Sequence, residues 1–365
     1  MIVSKILDLE TMHLSARTPL WMLTREPALN ELVEYLEQAK QRVQGNPDGK
    51  HRFRFSAQHI EEARKSFARM ILNGEERLHC LCEVLCGNLF VEGQYRLRSV
   101  VVGQPLNSDE RFTLVQPLSE PALYSQTDLD LGSRLLQRLR FDVEGNWHRS
   151  RLIANFVEYE PIAQNRYGIF KIISRVKAEE EIWNKVVDEI FDIDRLVERD
   201  KQLRPLGRFV KDVLGVKLVV GSEQEARDLQ VVLESQAWRA AALSNTVGGP
   251  SELPELSFFE VKDYLRQGRG KESGWRAIKS VARWDGHLFE IQIQPLRNYH
   301  SELERFTTES HEEFKAKRES VRRSIAQKEP LFGFYRSLLQ WLFLDPDSLP
   351  KRPPSFGSVE VELTD

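Results

Sequence analysis

The chain has 365 residues, of which 41% are hydrophobic and 29% charged. That is the make-up of an ordinary soluble globular protein, long enough for two domains with a sizeable core. The formal net charge of −3 argues against a bulk nucleic-acid binder and leaves room for a local basic patch. No apolar run reaches membrane-spanning length, and "MIVSKILDLE" carries acids where a secretory signal would be apolar. The expectation is a cytoplasmic protein with no membrane contact.

Residues 1–160 mix helices and strands. "ALNELVEYLEQAKQRVQ" (28–44) and "SAQHIEEARKSFARMIL" (56–72) have the apolar spacing of amphipathic helices, with Ser56 placed to cap the second. "GNPDGKHRF" between them reads as a loop. Next come Cys80, Cys82 and Cys86 beside His79, in "RLHCLCEVLCGN". Four soft ligands stand together, but the C-x-x-C pairs of a zinc site are missing. With Leu78, Leu81, Val84 and Leu85, the stretch reads as a buried helix containing small hydrophobic cysteines. "QYRLRSVVVG" and "RFTLVQPL" read as short strands. "FDVEGNWHRSRLI" echoes the loop of Fic adenylyltransferases, but it lacks the leading His-Pro and its spacing is one residue too long, so that reading is rejected.

The character changes near Gly168. "GIFKIISRVK" (168–177) reads as a strand and "AEEEIWNKVVDEIF" (178–191) as a helix with two apolar stripes. "KDVLGVKLVVG" (211–221) reads as a buried strand, and "EQEARDLQVVLESQ" (223–236) as a helix. "WRAIKSVARW" and "HLFEIQIQ" read as strands joined by Asp285-Gly286, a strong two-residue hairpin signal. A long helix is expected over 297–325, a further apolar helix within 327–345, and a disordered tail over 346–365. The expected organisation is an unassigned α+β domain over 1–160, regulatory or partner-binding, followed by a second domain over 161–326.

The hairpin turn sets the register. Trp284 faces His287, Val281 faces Glu290, Lys279 faces Gln292 and Ala277 faces Gln294. Lys279 and Glu290 then become diagonal neighbours on the face that Glu290, Gln292 and Gln294 share. Arg175 and Lys177 share a strand face, Lys185 lies one helix further on, and Asp212 opens the next strand. His300, Glu304, His311 and Lys315 form a polar helical stripe. Two separated carboxylates and several cations suit phosphoryl or pyrophosphoryl transfer, whose catalysis is mostly positioning and charge neutralisation.

The order of these pieces resembles the synthetase domain of the RelA/SpoT family of alarmone (ppGpp) synthetases, over residues 165–318. "SRVKAEEEIWNK" is similar to the family's R-x-K-x-x-x-S-I-x-x-K stretch, and "KDVLGVKLVV" to its D-L-x-G-I-R-I strand. "VKDYL" and "GKESGWRAIKS" resemble K-D-Y-I…P-K-x-N-G-Y-R-S-L-H, "FEIQIQP" resembles V-E-I-Q-I-R-T, and "ESHEEFKAK" resembles A-x-H-x-x-Y-K. The resemblance implies an α/β (α+β) fold, a nucleotidyltransferase-like mixed sheet flanked by helices. It implies transfer of the β,γ-pyrophosphate of ATP to the 3′-hydroxyl of GDP or GTP. Arg175, Lys177 and Lys185 would bind ATP. Asp212 and Glu290 would hold Mg²⁺, with Lys279 beside them at the catalytic centre. Lys262, Lys271, Trp275, Gln292, His311 and Lys315 would bind the acceptor.

Four positions depart from the family pattern. Trp275 replaces tyrosine, Lys279 replaces histidine, Gln294 replaces arginine after E-I-Q-I, and Lys217 replaces the strand arginine. The first keeps a stacking ring. The second sets a permanent cation beside Glu290, a pair worth about 4 kcal/mol at ~4 Å and an effective dielectric of ~20, before desolvation. These departures leave two alternatives open: a tRNA 3′-end pyrophosphokinase, or a nucleotide-sensing module without activity. Homo-oligomers also remain open. "GRGK" lacks the glycine spacing of a Walker A loop. The chain contains no His-Asp dipeptide, so synthesis without the family's hydrolase activity is expected.

Overall fold

The computed structural model describes residues 26–105, 111–125, 127–143, 145–176, 179–192, 214–235, 256–266, 275–307, 320, 322–343 and 353–364. In chain order the elements are α1 (Pro27–Gly45), β1 (His51–Ser56), α2 (Ala57–Leu89), β2 (Tyr95–Pro105), β3 (Phe112–Leu118) and α3 (Asp128–Gln137). A small hairpin, β4 (Phe141–Val143) and β5 (Asn146–His148), precedes β6 (Ser150–Pro161), β7 (Ile169–Val176) and α4 (Glu179–Ile190). Then follow β8 (Leu214–Val220), α5 (Glu223–Ser235), β9 (Ser257–Asp263), β10 (Ile278–Trp284), β11 (His287–Pro295), α6 (Leu296–Thr307), α7 (Pro330–Phe343) and β12 (Val359–Thr364). This is a mixed α+β fold with a mixed sheet flanked by helices. Among the described residues no helix is long and apolar enough to cross a membrane.

The chain forms two compact units, and neither is a continuous stretch. One comprises 1–71, 178–211 and 312–365, and the other 72–177 and 212–311. The expected division at residue 160 is not where the contacts divide. The reason is the second unit's sheet, whose eight strands run in the order β3-β2-β6-β7-β8-β11-β10-β9. The strands expected to belong to an N-terminal domain pair directly with those expected to follow it, through β6 and β7. All neighbours are antiparallel except β8 and β11, which are parallel.

One face of this sheet is apolar. Tyr159, Ile172, Leu218, Ile293 and Ile278 lie in one lateral row, and all are buried. Each such side chain contributes ~1.5–3 kcal/mol of transfer free energy on burial. Ser280 of β10 donates to Gln230 of α5 at 2.9 Å, tying that helix to this face. On the opposite face, Tyr299 of α6 packs with Ile173 and Val219.

The first unit contains α1, β1, the start of α2, α4, α7 and β12. Trp183 stacks on Phe67 and Phe343, with ring centroids 4.8 and 3.8 Å away. Its small sheet corrects two expectations. Residues 51–56, read as partly loop, form β1, and residues 359–364 of the expected disordered tail form β12, paired parallel with it. The tail alternates Val359, Val361 and Leu363 with Glu360 and Glu362, which is a strand period. Glu360 and Glu362 meet Arg52 and Arg54 across the pair at 3.1–3.4 Å.

Candidate functional site

Asp285 and Gly286 both have positive φ, 45° and 73°, as a two-residue hairpin of this twist requires. The turn sets Trp284 opposite His287, Val281 opposite Glu290 and Lys279 opposite Gln292. Glu290, Gln292 and Gln294 therefore share one face of β11. Across that face the register builds two lateral rows. The first contains Arg175, Gly215, Glu290, Val281 and Glu260. The second contains Ile173, Lys217, Gln292, Lys279 and Lys262.

Glu290 is 4% exposed. Gln292 donates to one of its carboxylate oxygens, and the Lys279 ammonium is ion-paired to the other. A carboxylate this deeply buried needs such partners, because an unpaired buried charge is costly. Gly215 separates Arg175 from Glu290 in their row and carries no side chain. With strands ~4.8 Å apart, the backbones of Arg175 and Glu290 stand about 10 Å from each other over a bare floor. Arg175 itself is exposed.

Lys217 reaches in the other direction. Its ammonium contacts both oxygens of Glu302 on α6, at 2.9 and 3.0 Å, and Gln294 donates to the same carboxylate at 2.7 Å. Burial pushes the Glu302 carboxyl up, but the Lys217 charge, the hydrogen bonds from Lys217 and Gln294 and the Arg175 guanidinium outweigh it and hold it below the ordinary range. Lys217 and Lys171 also lie over the Tyr299 ring, each 5.6 Å from its centroid.

Trp275 precedes β10 and meets Tyr264 edge-on, centroids 5.6 Å apart. Lys262 of β9 is exposed and pairs with Glu260 at 2.6 Å. Asp263, next to it, has a different task. It accepts from Arg227 at 3.4 Å, from Arg266 at 3.2 Å and from the Leu265 backbone at 2.8 Å, so it organises the turn after β9.

The structure thus brings Arg175, Lys262, Lys279, Glu290 and Gln292 to one sheet face, with Trp275 at the start of β10. Lys177, Asp212, Lys271, His311 and Lys315 lie outside the described residues. Lys185 is on α4, with its side chain outside the description, and of the helical stripe only His300 is described in full, exposed on α6. Sequence reading missed Glu302, which meets Lys217 and Gln294 of the sheet from α6. The signal was there: Tyr299 and Glu302 are three apart on a helix, so they share a face.

Of the two carboxylates that the resemblance assigns to Mg²⁺, Asp212 lies outside the described residues and Glu290 is described in full. Mg²⁺ takes oxygen ligands, and both oxygens of Glu290 are engaged, one by a cation that an ion would have to displace.

The cysteine stretch is a buried helix, part of α2. Cys80, Cys82 and Cys86 are free and buried, and burial pushes all three thiols up, away from the reactive thiolate.

No family model matches the chain, and no curated protein does. Solved structures similar in part include small alarmone synthetase 1 from Bacillus subtilis, 14% identical over 46% of this chain and 80% of that one, with a TM-score of 0.24. Small alarmone synthetase 2 from the same organism is 18% identical over 46% and 81%, with a TM-score of 0.23. Synthetase 1 bound to its product pppGpp is 16% identical over 47% and 81%, also with a TM-score of 0.23.

Proposed function

We propose that the polar face of β7, β8, β11, β10 and β9 binds nucleotide phosphates and carries pyrophosphoryl transfer from ATP to the 3′-hydroxyl of GDP or GTP. The observation that carries this reading is the row Lys217–Gln292–Lys279–Lys262. Three lysines and an amide stand side by side on adjacent strands with no acid among them. Lys279 is directly opposite Lys262, and like charges in that position are destabilising. Their acids come from neighbouring positions, Glu302, Glu290 and Glu260. A polyphosphate laid along the row would relieve the repulsion. The ordered motifs of residues 165–318 support the same reading independently.

In this proposal Arg175 grips ATP through base stacking and phosphate charge, a role the resemblance also implies for Lys177 and Lys185. Lys279 neutralises charge on the transferred phosphoryl oxygens, where a permanent ammonium is most useful if it is already in place. Glu290 orients Lys279. Gln292, Lys262, Lys271, His311 and Lys315 serve the acceptor, and Trp275 offers a stacking ring. Asp212 and Glu290 are the carboxylates the resemblance assigns to Mg²⁺, and no step here depends on that ion. A guanosine acceptor is favoured over the 3′ end of tRNA because the net charge is −3 and a tRNA binder needs a broad basic face.

The test is γ-labelled ATP offered in parallel with GDP, GTP, AMP, ADP, ATP and deacylated tRNA, with products separated by chromatography and gel. Label on a guanosine nucleotide is the expected result. Label on tRNA alone would replace the acceptor. ATP binding with label on none of them would replace the enzyme by a sensing module.

A further inference from the structure

Beneath the apolar face, in the same unit, α2, α3 and β6 bring three further titratable groups together. Glu75 and His79 are one helical turn apart on α2, and Asp128 opens α3. All three are buried, at 3%, 1% and 1% exposure. One donor atom from each lies within 4.8 Å of the others. His79 Nε2 is 3.5 Å from Asp128 Oδ1 and 3.9 Å from Glu75 Oε1.

Those separations are long for hydrogen bonds. They are close to the edge of a metal's coordination shell. Bonds of ~2.0–2.2 Å from zinc to nitrogen and oxygen put tetrahedral ligand atoms about 3.4 Å apart. A second observation points the same way. His79 Nε2 and both carboxylate oxygens of Asp128 are sealed from solvent and have no hydrogen-bond partner. Buried polar atoms are normally paired, and orphans on two residues of one cluster call for an occupant.

The surroundings suit such an occupant. His79 Nδ1 is 2.9 Å from the Tyr159 hydroxyl of β6. With Nδ1–H donating to that oxygen, Nε2 presents its lone pair to the cluster, the arrangement metal-bound histidines use. The Asp128 backbone N–H donates to Glu75 Oε1 at 2.6 Å, and Asn155 donates to the Asp128 carbonyl, so both acids are held in place. A divalent cation could offset the charge of two ionised carboxylates in full and an imidazolium only by half, and burial, which raises the Glu75 carboxyl, makes such an offset necessary for both to ionise.

We propose that Glu75, His79 and Asp128 bind one divalent transition-metal ion, of which Zn²⁺ is the probe, as a structural staple joining α2 to α3. None of its ligands belongs to the proposed transfer site. The cysteines of the same helix take no part: the cluster holds no sulfur among the described residues. A proton is the competing occupant. Burial lowers the affinity of His79 for it, but the nearby carboxylates of Asp128 and Glu75 outweigh burial and raise the imidazole to about 9.

The test uses the full chain, stripped with a chelator and then titrated with Zn²⁺ and, separately, Co²⁺. Bound metal is measured by mass spectrometry, stability by melting temperature, and geometry by the visible spectrum of Co²⁺. The proposal expects about one metal per chain, a rise in melting temperature on reloading and a four-coordinate cobalt spectrum. Tyr159→Phe should weaken metal affinity by roughly 10–100-fold, and Asp128→Asn by more. Glu290→Gln should leave metal content unchanged. A wild-type chain that takes up no metal and shows no cobalt spectrum overturns the proposal, and needs no variant to fold. Metal retained in full by a folded Asp128→Asn protein overturns it equally.

Discussion

In the N-terminal wing of the sheet, the polar face alternates its charges. Arg96 lies opposite Glu160, and Arg98 lies opposite Glu158. Arg98 reaches Glu160 at 2.9 Å, Lys171 of β7 meets Glu158 at 2.8 Å, and the next row is already apolar, with Phe156 opposite Val100 and Val115. The C-terminal wing does the opposite. Its row from Lys217 to Lys262 contains three lysines and one amide. The first wing has the charge pattern of a surface that balances itself. The second sets like charges side by side and takes their partners, Glu302, Glu290 and Glu260, from outside the row, and the same strands carry the alarmone-synthetase resemblance. One continuous sheet therefore holds a half whose charges alternate and a half whose lysines stand in one row.

The largest effect should come from separating the halves. A fragment starting at Tyr159 would lose β2, β3 and most of β6, and with them the buried Val100, Val101 and Val157. It should fail to fold, seen as loss of a cooperative melt. A folded, active fragment would mean that the N-terminal wing is dispensable. The second contrast sets Lys279→Gln against Glu158→Gln. Transfer should fall on the order of 10²-fold in the first, as when a preorganised electrostatic partner is removed. The second should lower the melting temperature and keep the transfer rate. Similar losses in both would dissolve the distinction between the wings.

Smaller effects follow at the rim of the site. Arg175→Ala should weaken binding of a non-hydrolysable ATP analogue by about tenfold while leaving GDP binding within twofold, by calorimetry. Equal loss of both ligands would make β7 purely structural. The mildest prediction concerns pH. Glu302 has its pKa depressed below 4.5 in the folded chain. Its contribution is therefore present above the unfolded value and lost as pH falls through the folded one. Melting temperature should drop more steeply below pH 4.5 in the wild type than in Glu302→Gln, and parallel curves would contradict that assignment.

Local signals in the sequence carried a long way. Asp285-Gly286 determined a turn, the turn determined a register, and the register joined Lys279 to Glu290. The helices over 27–45, 179–190, 223–235 and 330–343 follow from apolar spacing alone. What escaped was non-local. The change of character near Gly168 suggested a boundary, yet β6 and β7 pair across that turn in one sheet. Pairing between strands is decided by packing, which no single window displays. The tail misled because prolines dominate 350–354, hiding the alternation that follows in 359–364. Glu302 escaped because its partner, Lys217, is 85 residues away. The buried cluster was half visible: His79 stood out beside the cysteines, but Glu75 lies one helical turn before it and Asp128 opens a distant helix.

The central claim is that the lysine row and its buried carboxylate perform the transfer. Glu290→Gln tests it most directly, because the substitution keeps shape and removes the charge paired with the Lys279 ammonium. Transfer from γ-labelled ATP and the melting temperature should be measured on the same preparation, beside the wild type. The account predicts that transfer to the acceptor is lost while a cooperative melt survives. Wild-type rates of transfer in the folded variant would contradict it.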